Sequence, residues 1–133
     1  MGSVDDEREH LKGNAKKRKD NIEYNYTIIL GGKLVGGCGI KIRQHNTFIG
    51  EIGYFVDEAY WGQGIATKVV KMLESIGFNK LGLKRIEVIM DSRNLGSEKV
   101  AIKTGYLKEG TMKSAIQSGK RYFDGHLYAK VKK

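Results

Sequence analysis

The chain has 133 residues, a formal net charge of +9, 40% hydrophobic and 29% charged residues, and a single cysteine. That size and composition suit one globular domain and exclude a disordered tail. Cys38 has no partner for a disulfide, and no apolar run approaches the roughly 20 residues that a membrane helix needs.

Taken in chain order, the start Met1-Gly2-Ser3-Val4-Asp5-Asp6 is acidic and polar rather than a secretory signal. We expect a disordered leader over residues 1–7, a single domain spanning 1–133 and a cytoplasmic location. Residues 5–20 are helix-permissive, and Lys16-Lys17-Arg18-Lys19 reads as the solvated end of an N-terminal helix. Tyr26–Leu30 reads as a strand, Gly31-Gly32-Lys33 as a hairpin turn, and Leu34–Ile42 as the returning strand. After a turn at Gln44–Thr47, Phe48–Val56 is a third strand. The period then changes: Ile65, Val69, Met72, Leu73 and Ile76 share one helical face, with Gly77 as the stop. Arg85–Met90 is a β-branched strand, and Asp91-Ser92-Arg93-Asn94 offers caps for a second short helix ending at Gly105. Residues 106–133 form a hairpin turning near Gln117–Lys120. With 18 Gly and no Pro, the turns rest on Gly and Asn. This order predicts a mixed α+β sheet with a strand–helix–strand crossover.

The positive charge sits at the two ends. Residues 8–19 and 112–133 each carry six basic side chains and one acid, which leaves the middle near neutral. A nucleic-acid reader concentrates basic and aromatic residues on one working surface, so nucleic acid is an unlikely partner.

The stretch from Glu51 to Thr67 carries the chemistry. A strand ending near Val56 leads into Trp61-Gly62-Gln63-Gly64-Ile65-Ala66, which opens directly into the amphipathic helix. Such a turn aims free backbone N–H groups at one point, where the helix dipole adds about half a positive charge. A pyrophosphate could rest there without a lysine. Neither the Walker nor the Rossmann glycine pattern is present. Alone, the turn is equally a tight connection whose glycines serve geometry.

Four motifs occur in order: Glu51-Ile52-Gly53-Tyr54, Trp61 to Ala66, Asp91-Ser92-Arg93-Asn94-Leu95-Gly96-Ser97, and Lys103-Thr104-Gly105-Tyr106-Leu107-Lys108-Glu109-Gly110. Together they resemble the GNAT acetyltransferases, and among these the RimJ/RimL branch, which acetylates protein N-terminal amines. The closing Gly119–Asp124 followed by Leu127-Tyr128 is similar to that branch, so the resemblance covers about residues 22–130. It implies a mostly antiparallel twisted sheet with flanking helices and one splayed parallel pair, residues 50–56 and 85–90. It also implies acetyl-CoA in the notch between those strands, with no metal. By similarity the pantetheine arm pairs with the backbone of Tyr54, Phe55 and Val56. The pyrophosphate would rest on the N–H groups of Gly62, Gln63, Gly64, Ile65, Ala66 and Thr67, with Trp61 beside them in the cofactor-binding set. Asn94 would brace the cosubstrate near its reactive end, or cap the second helix, or both. Trp61 replaces the Gln or Arg of the wider family, as an aromatic does in the RimJ/RimL branch.

The resemblance also assigns roles. Acyl transfer to an amine needs the amine neutral, and ordinary pKa values are about 10.4 for an alkyl amine and 7.7–8.0 for an α-amine. A base therefore helps, and Glu51 is the candidate; an exposed strand-end acid is the competing reading. A backbone N–H near Phe55 would stabilise the oxyanion. Many members place a Tyr on the short helix to meet the leaving thiolate, where this chain has Ala101. The branch instead offers a Ser three residues after the Asn, which makes Ser97 a thiolate partner or a first-turn cap. Tyr106 and Cys38 read as packing residues, and His10, His45 and His126 lack metal-ligand spacing.

RimJ/RimL-type proteins carry a strand and a helix ahead of the region matching residues 5–20. Their absence implies a sheet one strand short and an open acceptor side. A trimmed chain, a naturally minimal one, or a homodimer whose partner covers the gap would each account for it. The expected activity is transfer of acetyl from acetyl-CoA to a primary amine, a peptide N-terminus or small amine, by direct attack in a ternary complex. The alternatives are a catalytically weak acyl-CoA-binding module and a basic ribosome- or RNA-associated protein.

Overall fold

Two glycines close the first hairpin. Gly31 and Gly32 adopt φ of 57° and 81°, the left-handed pair that a two-residue turn between twisted strands requires. They join β2 (Asn21–Leu30) to β3 (Lys33–Arg43), which pair antiparallel. The computed structural model describes residues 13–17 and 21–133. The leader expected over residues 1–7, and Arg18 and Lys19 of the basic run, lie outside them.

The helix expected over 5–20 is not what the described part of that stretch forms. Gly13–Lys17 is a strand, β1, pairing antiparallel with β2 from Gly13–Tyr26 to Lys17–Ile22. Five residues have little helical preference of their own to set against an open ladder of backbone hydrogen-bonding groups.

β4 (Ile49–Val56) returns antiparallel to β3. The chain then crosses over through α1 (Ile65–Ser75) to β5 (Arg85–Asp91), which lies parallel to β4. After α2 (Leu95–Lys103), the β6 (Leu107–Ser118) and β7 (Arg121–Val131) hairpin turns at Gly119. The described residues form one seven-stranded sheet, β1-β2-β3-β4-β5-β7-β6, with β4–β5 its parallel pair. This is the mixed α+β architecture that the resemblance implies.

Alternation places Ile40, Ile52 and Val88 side by side on the face that α1 covers. Against them α1 buries Ile65, Val69, Met72 and Leu73 of the stripe expected from its period, with Val70 added, while Ile76 lies just past the helix and is half-buried. Burying each large aliphatic side chain contributes roughly 1.5–3 kcal/mol. Gly77 does not stop the helix. The chain continues through a wider turn, Ile76–Lys80, and leaves at Gly82, whose φ is 70°. Gly77 is buried, and a Cβ there would lie 2.9 Å from Ile86 Cδ1. The glycine lets the helix end approach β5.

Cys38 belongs to this core, and burial pushes its thiol up to about 12. A thiol stays protonated below its pKa, so a thiol reagent at about pH 8 should leave the folded chain unmodified. Denaturant should expose one reactive thiol. Stoichiometric labelling of the folded protein would contradict this packing.

Candidate active site

The parallel pairing of β4 and β5 runs only from Ile49–Arg85 to Ile52–Val88. Beyond that, β4 follows β3 to the Val56–Gly36 pair, while β5 follows β7 to Asp91–Gly125. The strands therefore splay into a notch with Ile52 and Val88 at its apex. A Cβ on Gly53, the next residue of β4, would meet nothing within 4 Å.

Strand parity decides which amides face the notch. Asp57 N–H donates to Val35 O at 2.7 Å, so in an antiparallel ladder the Gly37–Phe55 pair is the next to exchange bonds. The N–H and C=O of Tyr54 and Val56 consequently turn toward the notch. By the same parity the Phe55 amide belongs to the β3 ladder, so the notch-facing backbone N–H groups near Phe55 are those of Tyr54 and Val56. Phe55 offers an exposed ring instead, lying over Gly37, where a Cβ would stand 2.8 Å from Phe55 Cε1.

A groove of about 690 Å³ leads from the notch between α1 and α2. β4 supplies Tyr54, Phe55 and Val56; the turn supplies Trp61, Gly62 and Gly64; the first turn of α1 supplies Ile65, Ala66 and Thr67. α2 and its cap supply Asn94 and Ser97. Gln63 and Glu51 are not among the lining residues.

Gly62 and Gly64 have φ of 81° and 77°, a conformation that favours glycine, and a Cβ at either would stand in open space. Gly64 caps α1 without a side chain. Lys68 N–H closes the first helical turn onto Gly64 O at 3.2 Å, leaving the N–H groups of Ile65, Ala66 and Thr67 ahead of the ladder. An unobstructed cluster of amides at a helix start fits a pyrophosphate. Trp61 Nε1–H donates to Val56 O at 2.6 Å and holds the turn against the end of β4.

Asn94 Oδ1 accepts from Ser97 N–H at 3.0 Å, the N-cap contact of α2, and its amide NH₂ has no such role in the cap. Ser97 and Tyr54 line the groove from its two walls. Burial raises the Tyr54 pKa, and the Ser97 side chain works against that rise. Ala101 is 2% exposed and packs in the core. Tyr106 is buried too, its ring 5.0 Å beneath Lys130 Nζ.

Glu51 lies on the sheet face opposite α1, in register with Lys41 and Glu87. Glu87 is buried and accepts from Arg43 Nη2 at 3.1 Å and Arg85 Nε at 2.9 Å. An acceptor reaching the notch from this open face meets Glu51 and Gly53 near the apex. His45 is exposed in its turn, His126 Nδ1 lies 3.3 Å from Thr111 Oγ1, and His10 is outside the described residues. Among the described residues no His, Cys, Asp and Glu group is placed to hold a metal ion.

The structure adds Tyr60, Gly96, Lys99, Val100 and Lys103 to the groove. The spacing of Gly96, Lys99, Val100 and Lys103 marks one helical face, a signal present in the sequence. Only the fold turns that face toward the turn at Gly62–Gly64.

Residues 2–107 match a family model described as an acetyltransferase (GNAT) domain. The chain is 30% identical over 100 residues to an uncharacterized N-acetyltransferase, YoaA, of Bacillus subtilis, covering 75% of this chain and 56% of that protein. It is 27% identical to the ribosomal-protein-serine acetyltransferase of Escherichia coli, covering 97% and 72% respectively. A solved structure of the RimL ribosomal L7/L12 alpha-N-protein acetyltransferase in complex with coenzyme A superposes with a TM-score of 0.76 at 26% identity. That match covers 82% of this chain and 62% of the other. The chain thus spans less than two thirds of the length of YoaA and of that RimL structure.

Proposed function

Because this chain belongs to the GNAT acetyltransferases, we propose that it transfers the acetyl group of acetyl-CoA to a primary amine by direct attack in a ternary complex. The proposed acceptor is a protein N-terminal α-amine. The observation that carries the reading is the splay of β4 from β5 beyond Ile52–Val88, with the Gly62–Gly64 amide turn at the mouth of the same groove. The names of the similar ribosomal-protein acetyltransferases support the acceptor class.

Bound acetyl-CoA supplies an activated acyl group. The chain's own residues do the rest. The notch-facing N–H and C=O of Tyr54 and the N–H of Val56, whose C=O is held by Trp61, hold an amide-bearing arm in the manner of an added strand. The amides from Gly62 to Thr67 take the pyrophosphate. Glu51 accepts the amine's proton through water on the open face. Ser97 Oγ, which lines the groove, is the proposed hydrogen-bond partner of the leaving thiolate. A cytoplasmic location and a homodimer belong to the same proposal by likeness to the RimJ/RimL branch. A monomer mass by light scattering at micromolar concentration would remove the dimer.

Trp61 is the only tryptophan and sits at the turn. Titration with acetyl-CoA should change its fluorescence saturably, with matching heat by calorimetry. Adding a peptide with a free N-terminus should then release free thiol. Absence of binding in a folded sample would overturn the reading. Binding without thiol release across a broad amine set would reduce the protein to an acyl-CoA-binding module.

A further inference from the structure

We infer that Lys99 and Lys103 form a second anion site on α2, one that takes the 3′-phosphate of CoA and makes this chain prefer CoA to dephospho-CoA. The inference rests on the acetyl-CoA reading above.

The two walls of the groove differ in kind. The turn and the start of α1, from Trp61 to Thr67, hold no cationic side chain, so an anion there meets only backbone dipoles. The facing wall carries Lys99 and Lys103, both exposed and both lining the groove. Neither belongs to an ion pair among the described residues. The adjacent acid, Glu98, is engaged elsewhere, accepting from the Tyr128 hydroxyl at 2.6 Å.

Two like charges at i and i+4 weaken a helix when nothing lies between them. Lys103, in the last turn, complements the helix dipole. Lys99, a turn earlier, has no such explanation. An anion seated between the two would relieve the repulsion. CoA carries a diphosphate and, separately, a ribose phosphomonoester with a charge near −2 at neutral pH. Once the diphosphate occupies the amide turn, the monoester is the anion left for the lysines across the groove. Flexible, hydrated ammonium groups suit a phosphate that stays in solvent.

The test is calorimetric titration of the full chain with CoA and with dephospho-CoA, which lacks only the 3′-phosphate. The wild type should bind CoA about tenfold more tightly, the sum of two solvent-exposed charge pairs. The K99A/K103A variant should lose that preference by weakening CoA alone, and K99R/K103R should retain it. Raised salt should shrink the wild-type preference. Equal binding of the two ligands by the wild type would overturn the inference and leave the acetyl-CoA reading standing. An equal loss of both ligands in K99A/K103A, with an unchanged thermal midpoint, would overturn it too by moving the lysines to the shared diphosphate. A folded wild type that binds neither ligand would remove both readings.

Discussion

Replacing Gly64 with valine should lower acetyl-CoA affinity by about a hundredfold or more while the chain still folds. Gly64 holds φ at 77° at the start of α1, where a β-branched residue costs about 1–3 kcal/mol. That is a fraction of the 5–15 kcal/mol expected for a domain, so most of the strain should be relieved by shifting the helix start. The shift turns the amides of Ile65, Ala66 and Thr67 away from a common point. Each hydrogen bond to a charged group contributes about 1.5–3 kcal/mol, so losing two exceeds a hundredfold in affinity. The new side chain would also occupy the open space above the turn. Calorimetry and Trp61 fluorescence read the binding, and a thermal melt reads the fold. Affinity within about threefold of wild type would show that the turn is only a connection.

Changing Glu51 to glutamine should lower kcat by about 10²–10⁴-fold, the usual contribution of a positioned base, with little effect on the KM for acetyl-CoA. The separation follows from geometry, because Glu51 sits on the opposite sheet face and does not line the groove. Glutamine keeps the shape beside Lys41 and Glu87, so the sheet should be undisturbed. The deficit should narrow as pH rises above the ordinary range of an α-amine, about 7.7–8.0, because the acceptor then loses its proton unaided. A variant with full kcat across the pH range would reduce Glu51 to a strand-end acid.

Several elements were legible because their signals are local. The α1 stripe from Ile65 to Leu73, the Gly31-Gly32 turn and the Asn94 cap each depend on residues within a turn or two of one another. Gly77 shows where such signals fail. A helix-stopping glycine and a close-packing glycine read alike, and only the nearness of Ile86 tells them apart. The strand at Gly13–Lys17 was hidden for a related reason, since its state follows from the neighbouring edge of β2.

The candidate site divides along the same line. By itself, the sequence determined the family, through motif order, together with the residues of the amide turn and the order of the elements from β2 onward, because periodicity, turn chemistry and motifs are properties of contiguous residues. Only the tertiary structure decided where β4 leaves β5, that Tyr54 and Val56 rather than Phe55 face the notch, and that Lys99 and Lys103 look across at the turn. Those facts depend on strand register and on the rotation of α2 against its neighbours. Register and rotation are relations between segments far apart in the chain, and packing alone sets them.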